Sequence, residues 1–287
     1  MAGFASIADL VNADINGATL VTSWKKTPTQ TTAQGFWFDL SSSPGNPPPQ
    51  YFAAAPLISV ALAQSTDGGI YHGQQLGSSK KMILRRMMAI SGNATVVPCQ
   101  MILCDYLLYY PFIDESTTGP QPLTTITTLP RYTTGVGVKM MAVVQNGQSG
   151  GATFNVTYTN TLGQTQTSAT VTLNTQPSTG TILTTAPATA GCLGPFIPLS
   201  PGDLGILNIQ SVNMISSDVG LFALVLVKPL AQFNIRGIDA PTEIDYFTAC
   251  GGGAPIIQDD AYLNFICNPN GTLAATAIYG IAEFAWN

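Results

Sequence analysis

Residues 194–230, GPFIPLSPGDLGILNIQSVNMISSDVGLFALVLVKPL, constrain this chain more than any other stretch. Two apolar runs, Leu204 to Val212 and Gly220 to Val227, flank a polar connector, with Pro and Gly before them and Lys228-Pro229 at the exit. Aliphatic and β-branched runs of this length between turn formers specify strands, so the pattern predicts a buried strand pair closed by Lys228-Pro229. The stretch has no His, and its acids are Asp203 in a Pro-Gly-Asp turn and Asp218 in the connector. Nothing in it is chemical.

The same signals recur along the chain. Ala18 to Trp24, Phe36 to Leu40, Leu57 to Leu62, Met82 to Ile90, Thr95 to Leu103, Val136 to Val144, Tyr262 to Cys267 and Ala274 to Trp286 read as strands. In Thr153 to Leu173, Phe154, Val156 and Tyr158 alternate with Thr and Asn, and the period of two returns at Ala169, Val171 and Leu173, which predicts a half-exposed hairpin. Ser6 to Asp9 has the form of a capping box before Leu10, Val11 and Ile15, so a short helix ending near Asn16-Gly17 is expected. Ser41 to Gln50 is an extended loop whose Pro47 to Pro49 run is polyproline-like. The aromatic cluster Tyr106 to Pro111 suits a core corner or an interface, core being the more frequent use; Asp114 to Pro122 and Asn174 to Gly191 read as connections. With no long helical pattern and no fixed repeat, the fold class is all-β: a β-sandwich or jelly roll with a short N-terminal helix or arm. Residues 1–50 form the arm and loop and residues 51–287 the body, with room in it for a smaller second β layer.

Composition then narrows the function. Charged residues are 9% of the 287, against about 25% in average soluble domains, while 12 Phe, 10 Tyr and 3 Trp mark a chain that folds rather than a disordered one. A net charge of -5 disfavours nucleic-acid binding, which needs a basic face. Lys80, Lys81, Arg85 and Arg86 are the local exception, four of the ten basic residues in KKMILRR. On a strand, Lys81 and Arg85 share one face and Lys80 and Arg86 the other, so a solvated or salt-bridged strand end outweighs contact with an acidic partner. Five Cys, at 99, 104, 192, 250 and 267, fit buried free thiols and assembly in a cytoplasm better than a disulfide framework. MAGFASIADL lacks the features of a signal peptide, and no apolar run reaches membrane-spanning length, so no membrane is expected.

The search for catalytic groups ends in bland readings. A triad would have to use His72, the single His, and Gly147-Gln148-Ser149-Gly150-Gly151 fits G-x-S-x-G, but a nucleophile elbow joins a strand to a helix and this pentapeptide precedes a predicted strand. Cys99 and Cys104 lie five apart on a predicted strand, pointing to opposite faces, without a second ligand pair for zinc. Asp114-Glu115 and Asp259-Asp260 read as loop solvation, with Asp259-Asp260 able to bind a hard cation. Neither Gly68-Gly69 nor Gly251 to Gly253 opens a phosphate-binding helix. No catalytic residue, cofactor or metal is therefore assigned.

The whole sequence resembles a family of virion structural proteins of tailed bacteriophages. The likeness lies in Gly3 to Asn12, Trp37 to Leu40 with Gly45 to Pro48, Ile70 to Gly73, and Leu129 to Tyr132 with Gly135 to Val138. It continues in Gly194 to Ile206, Leu224 to Leu230 and Leu263 to Phe265. The resemblance implies a non-enzymatic protein of the capsid surface, of the decoration or cement kind, which assembles in the host cytoplasm. Its partners would be the major capsid protein and copies of itself, with a trimer favoured. A head-fibre or tail-associated adhesion protein, or the shell subunit itself, are the alternatives. The candidate contacts are Lys80, Lys81, Arg85 and Arg86, the loop residues Asn46, Pro47, Pro48 and Tyr51, and Phe4, Ile7 and Leu10 of the N-terminal arm.

Overall fold

The computed structural model describes residue 4 and residues 6–73, 76–77, 80–147, 149–183, 194–249 and 253–287. Cys192, Cys250, Gln148, Gly251, Gly252 and residues 184–191 of the predicted connection lie outside the described residues. The long strands are β1 (Thr19–Lys26), β2 (Met82–Ser91), β3 (Cys99–Asp114), β4 (Lys139–Asn146), β5 (Thr153–Asn160), β6 (Ile206–Met214), β7 (Leu221–Ile235), β8 (Tyr262–Pro269) and β9 (Ile278–Trp286). They form three antiparallel sheets. The first has the order Thr242–Asp245, β2, β9, β1, Gly45–Asn46; the central one Phe38–Asp39, β8, β3, β7, β4; the third Thr165–Thr167, β5, β6, Gly119–Pro122. Residues 1–50, expected as arm and loop, thus supply β1 to the first sheet and the edge strand Phe38–Asp39 to the central one.

Strands β3 and β7 organise the molecule. They pair from Cys99 opposite Ile235 to Asp114 opposite Leu221, and each serves two cores. Met101 and Leu103 of β3 and Ala231, Phe233 and Ile235 of β7 pack with Trp24, Leu84, Met87 and Phe284 of the first sheet. Further along, Leu107, Tyr110 and Ile113 with Phe222, Leu224 and Leu226 pack with Phe154, Val156, Tyr158 and Ile209 of the third. Alternating side chains from the same strands, Cys104, Tyr106, Tyr109, Val225 and Val227, form a smaller cluster with Trp37, Phe52 and Tyr262. The fold is two sandwiches sharing one central sheet. Each fully buried large apolar side chain contributes about 1.5–3 kcal/mol, so the long strands anchor both cores at once.

The predicted strand pair is corrected here. Both runs are strands, yet they do not pair with each other: β6 pairs with β5 and Gly119–Pro122, and β7 with β3 and β4. They meet instead across the second core, where Ile206, Ile209, Val212 and Met214 face Phe222, Leu224 and Leu226. Lys228-Pro229 does not end the second strand either. β7 continues to Ile235 because the register shifts between Pro229 and Ala231, and a bulge is where a sheet tolerates proline.

Other boundaries move for local reasons. Tyr106 to Pro111 is core within β3, and Gly119–Pro122 is an edge strand rather than loop. In the hairpin, Phe154, Val156 and Tyr158 are buried as alternation predicts, but Ala169 is exposed and Ser168 is buried in its place. The Ser168 hydroxyl accepts from Val156 N–H at 3.0 Å and interrupts the returning strand between Thr165–Thr167 and Val171–Thr172. The N-terminal helix α1 (Ile7–Ile15) carries the expected capping box: Asp9 N–H donates to the Ser6 hydroxyl at 3.3 Å and Ser6 N–H to Asp9 Oδ2 at 2.8 Å.

Candidate functional site

Several of the segments that carry the resemblance, those at 70–73, 129–138, 194–206, 224–230 and 263–265, are tied together by hydrogen bonds near the junction between the two cores. On β3 the alternation that sends Met101 and Leu103 into one core and Leu107 into the other leaves Asp105 between them, fully buried. Arg131, from the Leu129 to Tyr132 motif, reaches it with a two-point contact, Nε to Oδ2 at 2.8 Å and Nη2 to Oδ1 at 2.7 Å. Nη2 also donates to the carbonyls of Leu62 and Tyr106 at 3.0 and 2.9 Å, and Tyr262 N–H donates to Asp105 Oδ1 at 3.1 Å. Burial outweighs the guanidinium and holds the Asp105 carboxyl up at about 6. Beside this pair, Ile70 N–H donates to Leu263 O at 2.8 Å, tying two more of the motifs together.

Lys228 adds a second tie. Its Nζ donates to Val136 O at 3.0 Å and stands 5.6 Å from the Tyr132 ring centroid. Val136 in turn bridges to Gly205, and Gly137 N–H donates to Leu204 O at 2.9 Å, so the 135–138 and 194–206 motifs lie backbone to backbone. A Cβ on Gly205 would sit 2.0 Å from Gly135 O. Gly205→Ala is therefore expected to lower stability by about 3 kcal/mol through overpacking. Gly147→Ala, where no atom lies within 4 Å, stays within about 0.5 kcal/mol. Urea midpoints at unchanged slope measure both; an unshifted Gly205→Ala midpoint would contradict the close approach.

The Ser41 to Gln50 loop is held by a buried lysine. In β1 the alternation that buries Trp24 also buries Lys26. Lys26 Nζ donates to the carbonyls of Pro47 at 2.8 Å, Ser43 at 3.1 Å and Ser41 at 3.5 Å. Burial lowers the ammonium to about 8. Asp39, also fully buried, accepts from Ser41 N–H at 2.9 Å, the Ser41 hydroxyl at 2.6 Å and the Tyr106 hydroxyl at 2.6 Å. The Trp37 to Leu40 and Gly45 to Pro48 motifs are thus the two sides of one polar lock.

The candidate contact residues differ in exposure and in the partners they hold. Arg85 bonds Asp14 and Glu283, both at 2.8 Å, and Arg86 bonds Glu243 at 3.0 Å and Glu283 at 2.9 Å. Simple alternation puts these arginines on opposite faces, but β2 and β9 shift register between Glu283 and Phe284, which lets both reach one carboxylate. Lys80 and Lys81 are exposed. In the loop, Asn46 and Pro48 are exposed and Tyr51 is 55% exposed, whereas Pro47 is buried over Lys26. On the arm, Phe4 packs edge-on against Phe247 and Leu10 is in the first core, while Ile7 is open to solvent.

The chemical candidates are dispersed. His72 is buried, its Nε2 donates to Ala261 O at 3.0 Å, and burial lowers its pKa. The Ser149 hydroxyl bonds Asp218, far from that pairing in the hydrogen-bond network. Cys99, Cys104 and Cys267 are buried free thiols, and burial pushes the latter two upward. Asp259 and Asp260 are spent on donors: Leu76 N–H and Gly77 N–H for the first, Ser65 N–H and hydroxyl for the second. Glu115 differs, since burial with Asp218 and Asp114 nearby pushes its carboxyl up to about 8. Among the described residues no three His, Cys, Asp or Glu side chains group as a metal site, and no helix is long and apolar enough to cross a membrane.

No protein-family profile matches the sequence, and no curated protein does. Among solved structures the chain is similar to the infectious bursal disease virus VP2 subviral particle, over 93% of this chain and 80% of that one, at 7% identity and a TM-score of 0.17. Likeness at that level carries no argument about fold or function.

Proposed function

We propose that this chain is a non-enzymatic structural protein of a phage particle that binds and stabilises the capsid lattice, as a decoration or cement protein does. The observation that carries the proposal is the outer face of α1. Leu10 and Ala13 turn inward, yet the opposite stripe is also apolar: Ile7, Val11 and Ile15 are 67%, 48% and 75% exposed at successive four-residue steps. A surface helix ordinarily turns polar residues outward, and an apolar stripe on a folded protein favours a docking partner. Val21 and Tyr279 are also exposed, on the first sheet. Low charge over the chain keeps such contacts insensitive to salt. Binding to the assembled lattice and not to free shell subunits would stabilise the shell by mass action.

The test adds recombinant protein to expanded capsids that lack it and images the particles. Density at regular lattice positions is expected, with Val11→Asp binding at least tenfold more weakly at an unchanged melting temperature. Detection at the tail alone, no capsid binding at native salt, or wild-type binding by Val11→Asp would sink the proposal.

A further inference from the structure

At one end of the central sheet three carboxylate oxygens are buried without a donor. Glu115 follows the last residue of β3 and is fully buried, and neither of its oxygens has a hydrogen-bond partner among the described residues. Asp218 lies in the connector before β7. Its Oδ1 accepts from Val219 N–H at 2.7 Å and from the Ser149 hydroxyl, while Oδ2 is buried and unpartnered. The backbone fixes the two acids together: Asp218 N–H donates to Glu115 O at 2.9 Å, and Glu115 N–H to Gly220 O at 3.1 Å. Ser149 N–H donates to Val219 O at 3.2 Å, bringing in the loop after β4. No Lys or Arg pairs with either carboxylate among the described residues. The neighbouring Asp114 is unlike them, because its oxygens accept from Ser116 and Thr117.

An unpaired buried carboxylate such as Glu115 is expensive, and a second carboxylate nearby makes it more so. Protein donors satisfy every other paired acid singled out above, so this pair is built for something that arrives. We propose that Glu115 and Asp218 form a binding site for one calcium ion. Calcium takes six to eight oxygen ligands at about 2.3–2.6 Å in flexible geometry. Because burial raises the Glu115 carboxyl to about 8, its proton passes to solvent as the ion binds; both Glu115 oxygens and Asp218 Oδ2 then supply three ligands and balance the ion's charge, and carbonyls of the converging loops and water supply the rest. Magnesium demands a tighter octahedron, which two loop-borne acids on separate turns do not offer. The ion would join the ends of β3 and β4 to the start of β7, pinning three loops that otherwise hold together through single backbone hydrogen bonds.

Chelator-treated full-length protein titrated with CaCl2 in a calorimeter tests this, alongside thermal melting with and without the salt. One site with a Kd of about 0.1–1 mM is expected, with a raised melting temperature and at least tenfold weaker binding of MgCl2. Glu115→Gln and Asp218→Asn each weaken calcium binding at least tenfold, whereas Asp259→Asn leaves it unchanged. Should Glu115→Gln fail to fold, Asp218→Asn, at a half-buried position, gives the same readout. No heat and no melting shift in the wild type up to about 10 mM calcium overturns the proposal, as does wild-type affinity in Asp218→Asn.

Discussion

Arg131→Met is expected to lower stability by about 3–5 kcal/mol near pH 7.5. The substitution keeps the aliphatic stem and removes both guanidinium donors to Asp105, leaving that carboxylate with Tyr262 N–H alone and leaving Leu62 O and Tyr106 O without the guanidinium. Its pH dependence separates charge from packing. Asp105 already sits at about 6 in the folded protein against 3.8 in an exposed chain, so the fold binds the extra proton and stability falls as pH rises through that window. Without Arg131 the folded value climbs further, and the loss at pH 7.5 should exceed the loss at pH 5, where the carboxyl is largely neutral. Chemical denaturation at the two pH values decides it. An equal loss at both would mean that Arg131 acts by filling space, and a loss below about 1 kcal/mol would mean that the pair is not buried as described.

Lys26→Met is expected to cost about 2–4 kcal/mol, because two well-placed carbonyls and a third longer one lose their donor inside the protein. The sign of its pH dependence is opposite in origin. Lys26 is lowered to about 8 from 10.5, so between these values the unfolded chain holds the proton more tightly and the wild type gains stability as pH rises. Lys26→Met removes that gain. Melting curves from pH 7.5 to 10 should show the variant flat where the wild type climbs; parallel curves would contradict the buried ammonium. Proteolysis should also cut the variant within residues 41–50 sooner than the wild type, since the loop has lost its internal anchor.

How far the sequence foretold all this depends on the range of each interaction. The capping box of α1 is written in four consecutive residues, and Ser6 and Asp9 form it as expected. The buried face of β5 follows from Phe154, Val156 and Tyr158 because period-two patterns report burial directly. Pairing is different. The runs at 204–212 and 220–227 are near neighbours in the chain, yet nothing local tells β6 to choose β5 and β7 to choose β3, a strand more than a hundred residues earlier. Bulges hide in the same way: Pro229 reads as a stop, and Arg85 and Arg86 as opposed neighbours, until the partner's register is known. The Asp105–Arg131 pair spans 26 residues without a motif of its own. Lys26 did leave a trace, for it falls in step with Trp24 on the buried face of β1. The unpartnered oxygens of Glu115 and Asp218 left none, since an acid in a loop looks the same in sequence whether its oxygens find donors or not.

Because β3 and β7 run unbroken through both sandwiches, neither core has a boundary at which it can melt alone. Fraying one half strips ladder partners from the strands that hold the other, and the buried ion pair at their midpoint would be opened to water from either side. Proteins commonly open in cooperative units of different free energy. Here the hydrogen-bonded ribbon from Cys99 to Asp114 and Leu221 to Ile235 couples them, so damage at one end is felt as loosening at the far end, and the molecule yields as a whole or not at all.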